Sequence, residues 1–145
     1  MKKVLIALDY DPTAQKVAEF GYSFAKAMTA DITLMHVVID LVQYSASYLN
    51  MGPLQTDGVA DLENNSLLFL EKNKQHLADE SIHILVKEGD VATTIVSTAI
   101  DLQVDIIVMG SHSKKWLEHI LMGSVTEKVL NHTTIPLLII PTKKQ

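Results

Sequence analysis

Short apolar runs alternate along the chain with longer stretches in which apolar and polar residues recur at helical spacing. Five runs predict strands, at residues 4–8, 32–39, 82–86, 104–109 and 135–140. Such continuous apolar runs are typical of strands that are buried on both faces, as in parallel sheets.

The stretches between these runs predict four helices. The first follows Asp11 and Pro12, which suit an N-cap and a first helical position. The others are predicted at residues 57–78, from a cap at Asp90 through Ile100, and at residues 124–131. The long connection over residues 40–56 is of a length that often serves as a lid or a binding loop.

Strands that alternate with helices predict an α/β fold, a doubly wound five-stranded parallel sheet with helices on both faces. We expect a single Rossmann-like domain over residues 1–145 with strand order 3-2-1-4-5. Ligands of such sheets bind at the carboxyl ends of the strands, where the strand order reverses. The expected crevice therefore lies between the ends of strands one and four.

Composition and charge exclude several classes of function. The chain has 48% apolar residues, no cysteine and a formal net charge of −5. These values argue against a disordered chain, a disulfide scaffold, a thiolate metal site and a nucleic-acid-binding surface. The apolar run that ends before Asp9 is too short for a signal peptide, and no window is long enough to span a membrane. We therefore expect a cytoplasmic protein. We expect no metal site, because the spacing of His112 and His119 does not suit two ligands of one metal ion.

The residues expected at the crevice suit phosphate binding. Gly110 allows close approach, and the hydroxyl groups of Ser111, Ser113 and Ser124 add donors. Gly123 and Ser124 stand just before a predicted helix, whose N-terminus favours anions. An equally open alternative is that Ser124 only caps this helix, in a capping box with Glu127, and that Gly110 only turns the chain.

Two further polar residues end strands near the same edge. Asp9 is interpreted as a ligand contact or as a partner of the next helix dipole. His36 lies in an apolar strand, which favours a core histidine with a satisfied hydrogen bond over a ligand.

The stretch GSHS at 110–113, nine further residues, and Gly123-Ser124 together resemble the nucleotide-binding pattern of the universal stress protein family. Other similar marks are spread over the whole chain. They are the opening LIALDYDP, HVV at 36–38, EGD at 88–90, VDIIVMGSH at 104–112, GSVTEKVL at 123–130 and IPLLIIP at 135–141.

The resemblance implies a stress-response regulatory module that binds ATP or AMP, with or without Mg²⁺. It places the adenine and ribose near Leu8, Asp9, Val37, Val38, Met109 and Gly110. It places the phosphates near His112, Ser113, Gly123, Ser124, Val125 and Thr126. It also implies a homodimer that pairs through the last strand, from Ile135 to Ile140. Pro136 removes one ladder donor, so the pairing is expected beyond it.

One position departs from the family pattern, because Ser113 replaces its second glycine. If that position requires a positive φ, serine costs about 1–2 kcal/mol there. A dimeric interaction protein without bound nucleotide therefore stays an alternative. A slow ATPase is another, with Asp9, Glu118 and Glu127 as the available carboxylates, although no lysine follows Gly123-Ser124 as in a P-loop. No catalytic residue is predicted, and the sequence does not identify the signal or a protein partner.

Overall fold

The computed structural model describes residues 2–39, 56–111 and 123–142, with side chains from residue 63 onward in the second range. The strands are β1 (Lys3–Ala7), β2 (Asp31–Val38), β3 (His83–Glu88), β4 (Ile106–Gly110) and β5 (Leu137–Ile140). The helices are α1 (Ala14–Ala27), α2 (Thr56–Leu77), α3 (Val91–Asp101) and α4 (Ser124–His132). The predicted connection over residues 40–56 lies outside the described residues, apart from Thr56, which begins α2.

The five strands form one sheet in the order β3-β2-β1-β4-β5. All four neighbouring pairs are parallel, with β1 hydrogen-bonded to β2 on one side and to β4 on the other. The predicted parallel α/β fold and its strand order are therefore confirmed. The reversal of strand order lies between β1 and β4, as expected from the sequence.

Side chains of β1 alternate between two hydrophobic cores, one on each face of the sheet. Val4 and Ile6 join the core that α1 and α2 cover, and Leu5 joins the core that α3 and α4 cover. All three side chains are fully buried. Burial on both faces explains why the strand reads as a continuous apolar run rather than as an alternating one.

Several predicted boundaries differ from the structure by one or two residues, and two of these differences have identifiable reasons. The carboxylate of Asp11 accepts the N–H of Thr13, as predicted for a cap, but the regular helix α1 begins only at Ala14. Strand β5 begins at Leu137 because Pro136 carries no N–H for a ladder. None of the helices, as far as the structure describes them, is long and apolar enough to cross a membrane.

Candidate functional site

Ser111 connects three elements just beyond the end of β4. Its N–H donates to Ile140 O at 2.9 Å, and its carbonyl oxygen accepts from Gly123 N at 2.7 Å. Its hydroxyl oxygen accepts the N–H of Thr142 at 3.1 Å and lies 3.1 Å from the Thr142 hydroxyl. The two glycine-containing segments of the sequence motif are thereby brought together at the carboxyl edge of the sheet.

The Ser111 hydroxyl, which the sequence led us to expect as a donor, is next to Thr142 in this structure. The residue is 8% exposed, and its hydroxyl oxygen lies 3.1 Å from that of Thr142. Sequence reasoning missed this pair because Thr142 follows β5, 31 residues farther along the chain.

The first turn of α4 is held against the end of β4. Thr126 is 2% exposed, and its hydroxyl donates to Gly110 O at 2.9 Å. The first N–H groups of a helix have no partner within the helix, and they carry its partial positive charge. The bond from Thr126 therefore places this electropositive end beside Gly110.

The cap of α4 differs from the sequence expectation. Gly123 is the N-cap, with φ −70° and ψ 160°, and Ser124 is the first residue inside the helix. The predicted capping box of Ser124 and Glu127 is therefore wrong, because its serine would have to be the N-cap and Ser124 already lies inside the helix. Any residue can adopt the backbone angles of Gly123. Glycine is among the residues favoured at an N-cap, and it places no side chain at this point.

Asp9 lies just beyond β1, on the other side of the strand-order reversal. Its carboxylate accepts the N–H of Tyr10 at 2.9 Å, and its carbonyl accepts the N–H of Asp11 at 3.0 Å. The alternative that Asp9 partners the dipole of α1 does not fit, because Asp11 accepts from Thr13 at the start of that helix. The half-buried carboxylate of Asp9 remains at the edge of the crevice.

His36 ties the end of β2 to the end of β1. Its Nδ1 lies 2.8 Å from Leu8 O, and the ring is 9% exposed. Because a carbonyl oxygen can only accept, Nδ1 carries the proton and donates. Phe69 of α2 contacts the imidazole edge-on, with ring centroids 5.7 Å apart. The interpretation of His36 as a satisfied core histidine is confirmed.

Two other residues named from the sequence have buried side chains at the same edge. Val37 and Met109 are 7% and 6% exposed, and both pack in the core beneath α3 and α4. A ligand beside them would therefore meet main-chain atoms. His112 and Ser113 lie outside the described residues.

Gly89 directly follows β3, the outer strand beside β2, at the carboxyl edge of the sheet. Its N–H donates to Val38 O at 2.9 Å, and its φ of 141° is one that favours glycine. Asp90 caps α3 as predicted, since its carboxylate accepts the N–H of Thr93 at 3.1 Å. The hydroxyl and the N–H of Thr93 lower the pKa of Asp90 below its ordinary value.

A groove of about 760 Å³ beside the β1–α1 turn was not foreseen. Its walls include Tyr10, Pro12, Leu68 and Phe69, and the rings of Tyr10 and Phe69 lie 4.8 Å apart. No set of three histidine or acidic side chains is arranged to hold a metal ion in the part of the chain that the structure describes.

Comparison with known proteins places this arrangement in a family. The model of the universal stress protein family matches residues 1–141. Universal stress protein MJ0577 of Methanocaldococcus jannaschii is 31% identical, over 98% of this chain and 96% of the relative. Universal stress protein YxiE of Bacillus subtilis is 26% identical, over 95% of this chain and 97% of the relative.

Solved structures of other proteins superpose on this fold. The structure of MJ0577 superposes with a TM-score of 0.78 and 29% identity, over 99% of this chain and 98% of that one. UspA from Lactobacillus plantarum has a TM-score of 0.75 and 18% identity, over 96% of this chain and 97% of that one. A universal stress protein solved in complex with cAMP has a TM-score of 0.67 and 15% identity, over 98% of each chain. The chain belongs to the universal stress protein family.

Proposed function

We propose that the protein is a cytoplasmic stress-response module that binds ATP or AMP, with or without Mg²⁺, and acts as a homodimer. The observation that carries the proposal is the meeting of Gly110 and Gly123 at the strand-order reversal, beside the N-terminus of α4. Backbone N–H groups, small residues and a helix N-terminus together form a suitable environment for phosphate.

The described geometry suggests how each part of the nucleotide is held. The phosphates meet the main-chain N–H groups of Ser124, Val125 and Thr126 at the start of α4. Gly123, whose own N–H donates to Ser111 O, leaves room beside them because it has no side chain. Main chain is the available donor at Thr126, because its hydroxyl is bonded to Gly110 O. The ribose lies beside Met109 and Gly110. The adenine lies near the ends of β1 and β2, at Leu8, Asp9, Val37 and Val38. His112 and Ser113 complete the proposed phosphate contacts.

A protein of the same fold has been solved with cAMP, which supports an adenine nucleotide as the class of ligand. The ligand of this chain is proposed to be ATP or AMP, in keeping with the glycine pattern. No residue is assigned a catalytic role. A P-loop lysine is lacking after Ser124, and Glu127 is exposed at the first turn of α4. Slow ATP hydrolysis is a secondary possibility that the same experiments test.

The first experiment identifies any nucleotide that co-purifies with the protein. The purified protein is denatured, and the released small molecules are identified by chromatography and mass spectrometry. ATP is then titrated calorimetrically into the emptied protein. We expect stoichiometric binding that is lost in Gly123→Val, because the new side chain stands where phosphate approaches. Asn131→Val, at the other end of the same helix, is the matched control and should bind normally.

The competing function is a dimeric interaction protein without nucleotide, and Ser113 is the observation that favours it. Absence of both co-purified nucleotide and heat at millimolar ATP would establish this alternative. Binding without phosphate release would support the regulatory module over the ATPase.

A further inference from the structure

The hydrogen bonds between β1 and β2 end one bond earlier than the register of the two strands would allow. Leu8 N donates to Met35 O at 2.8 Å. In a parallel ladder, the next rung would run from the N–H two residues farther along β2, at Val37, to the carbonyl of Leu8. The described structure shows no such bond. The Leu8 oxygen instead lies 2.8 Å from Nδ1 of His36.

The peptide groups of Val37 point toward the space left by β1. Along a parallel strand, the N–H and C=O of successive residues face opposite neighbours. Those of Met35 face β1, since its oxygen accepts from Leu8 N, and those of Val38 face β3, since its oxygen accepts from Gly89 N. Val37 therefore directs its N–H and C=O to the β1 side, beyond the residue where β1 turns away.

The His36 ring is held firmly in this position. It is 9% exposed, and Phe69 contacts it edge-on at a centroid distance of 5.7 Å. Phe69 is itself in contact with Tyr10 at 4.8 Å. Leu8 is also buried, at 4% exposure. The imidazole is thus a fixed partner for the Leu8 oxygen.

We propose that His36 is a positioning residue for adenine recognition. By occupying the Leu8 carbonyl, it keeps the last rung open and leaves the Val37 N–H and C=O to pair with a purine edge. This inference rests on the proposed function. Adenine presents a ring-nitrogen acceptor beside an amino donor, which complements one N–H and one C=O. Hypoxanthine carries an oxygen acceptor in place of that amino group, so it is the discriminating probe.

Two variants separate the hydrogen bond from the shape of the side chain. His36→Leu fills the buried position with an apolar side chain and removes the hydrogen-bond donor. The freed Leu8 oxygen can then accept from Val37 N and close the ladder. His36→Asn retains an N–H near the position of Nδ1. The matched control is His132→Leu, because Nδ1 of His132 also lies 2.7 Å from a carbonyl, that of Lys128, but on the exposed face of α4.

The binding experiment titrates ATP and inosine triphosphate into each protein. We expect the wild-type protein to prefer ATP by about tenfold, the value of one to two net hydrogen bonds. The preference should fall to near one in His36→Leu and persist in His36→Asn and His132→Leu. A merely structural role for His36 would weaken both nucleotides together and leave the ratio unchanged. An unchanged ratio in His36→Leu would overturn the inference.

A second measurement does not require a nucleotide. Amide hydrogen exchange of the free protein should show Val37 exchanging faster than Met35 in the wild type. In His36→Leu, Val37 should become protected because its N–H gains the Leu8 oxygen. An amide of Val37 that is equally protected in both proteins would overturn the inference.

The failures of the two proposals are distinguishable. If the wild-type protein binds both triphosphates with equal affinity, the His36 inference fails and the proposed site stands. If it binds neither, the proposed function fails, and adenine recognition through Val37 fails with it.

Discussion

Asp79 links the turn after α2 to helix α1 through its carboxylate. It accepts hydrogen bonds from the hydroxyl and the N–H of Ser81 and from the hydroxyl of Tyr22 on α1. Lys26 lies 3.7 Å away. The Ser81 hydroxyl, followed by the Ser81 N–H and Tyr22, lowers the pKa of Asp79 from 3.8 to about 2.

We therefore expect Asp79→Asn to destabilise the protein at neutral pH. A lowered pKa in the folded state means that the stabilisation is complete above the ordinary value of 3.8 and is lost as the pH falls toward 2. The difference in urea midpoint between wild type and variant should be greatest near pH 7 and shrink below pH 4. Glu80→Gln, at the exposed neighbouring position, is the control. A difference that is independent of pH would contradict the assignment.

Single residues were predicted best where their role depends on the strand to which they belong. His36 could be recognised as a core histidine because apolar residues surround it in sequence. The partners of Ser111 could not be predicted, since Ile140 and Thr142 reach it only through the register of β4 with β5. The hydrogen bond from the Thr126 hydroxyl to Gly110 O could not be predicted either, because it also depends on how distant parts of the chain pack together.

At the scale of elements, Gly21 allows helix α1 to pack closely against the sheet. A Cβ atom there would stand 2.9 Å from Ile6 Cδ1 and 3.1 Å from Val108 Cγ1. Both neighbouring side chains are fully buried, in β1 and β4 respectively. The glycine thus allows one helix to cover the two strands that flank the strand-order reversal.

Gly21→Ala should lower the stability although alanine favours helices. Overpacking of a buried site costs about 1–3 kcal/mol, and the gain in helix propensity offsets about 1 kcal/mol. We expect a net loss of about 1 kcal/mol in urea unfolding. Ser23→Ala, at an exposed position of α1, should instead be neutral or slightly stabilising. If Gly21→Ala is as stable as the wild type, the contact is looser than the geometry indicates.

The elements themselves were largely predictable because short apolar runs and helical spacing are local signals. Their ends were less so. Gly123 rather than Ser124 caps α4, and Ala14 rather than Pro12 begins the regular part of α1. A cap depends on which peptide groups the surrounding fold leaves open, and a short motif such as Ser-x-x-Glu does not contain that information.

At the scale of the whole molecule, β5 is an edge strand of the sheet, and its outer side pairs with no other strand in the part of the chain that the structure describes. Pro136 O and Ile140 O accept from Ile107 N and Ser111 N, so the peptide groups of these two residues face β4. By alternation, those of Leu137 and Ile139 face outward. An apolar edge of this kind is an aggregation hazard unless it is covered, and the proposed homodimer covers it by symmetric pairing.

Ile139→Pro should therefore convert the proposed dimer into a monomer while leaving the bonds to β4 in place. Proline removes the outward N–H of residue 139, and the dimer ladder needs that donor. Sedimentation equilibrium measures the change. Ile139→Ala removes most of the side chain but keeps the N–H, so it should remain dimeric. A dimer that survives Ile139→Pro would show that the subunits meet elsewhere.

The central position of β1 has a consequence for the order of events during synthesis. Its Val4 pairs with Ile106, which is 106 − 4 = 102 residues farther along the chain. At about 5–20 residues per second, a ribosome needs about 5–20 s to make that stretch. During this interval the first strand emerges early and keeps one apolar edge without its partner. The nascent chain is therefore most exposed to wrong strand pairing before β4 appears, and chaperones that hold extended apolar segments would protect it at that stage.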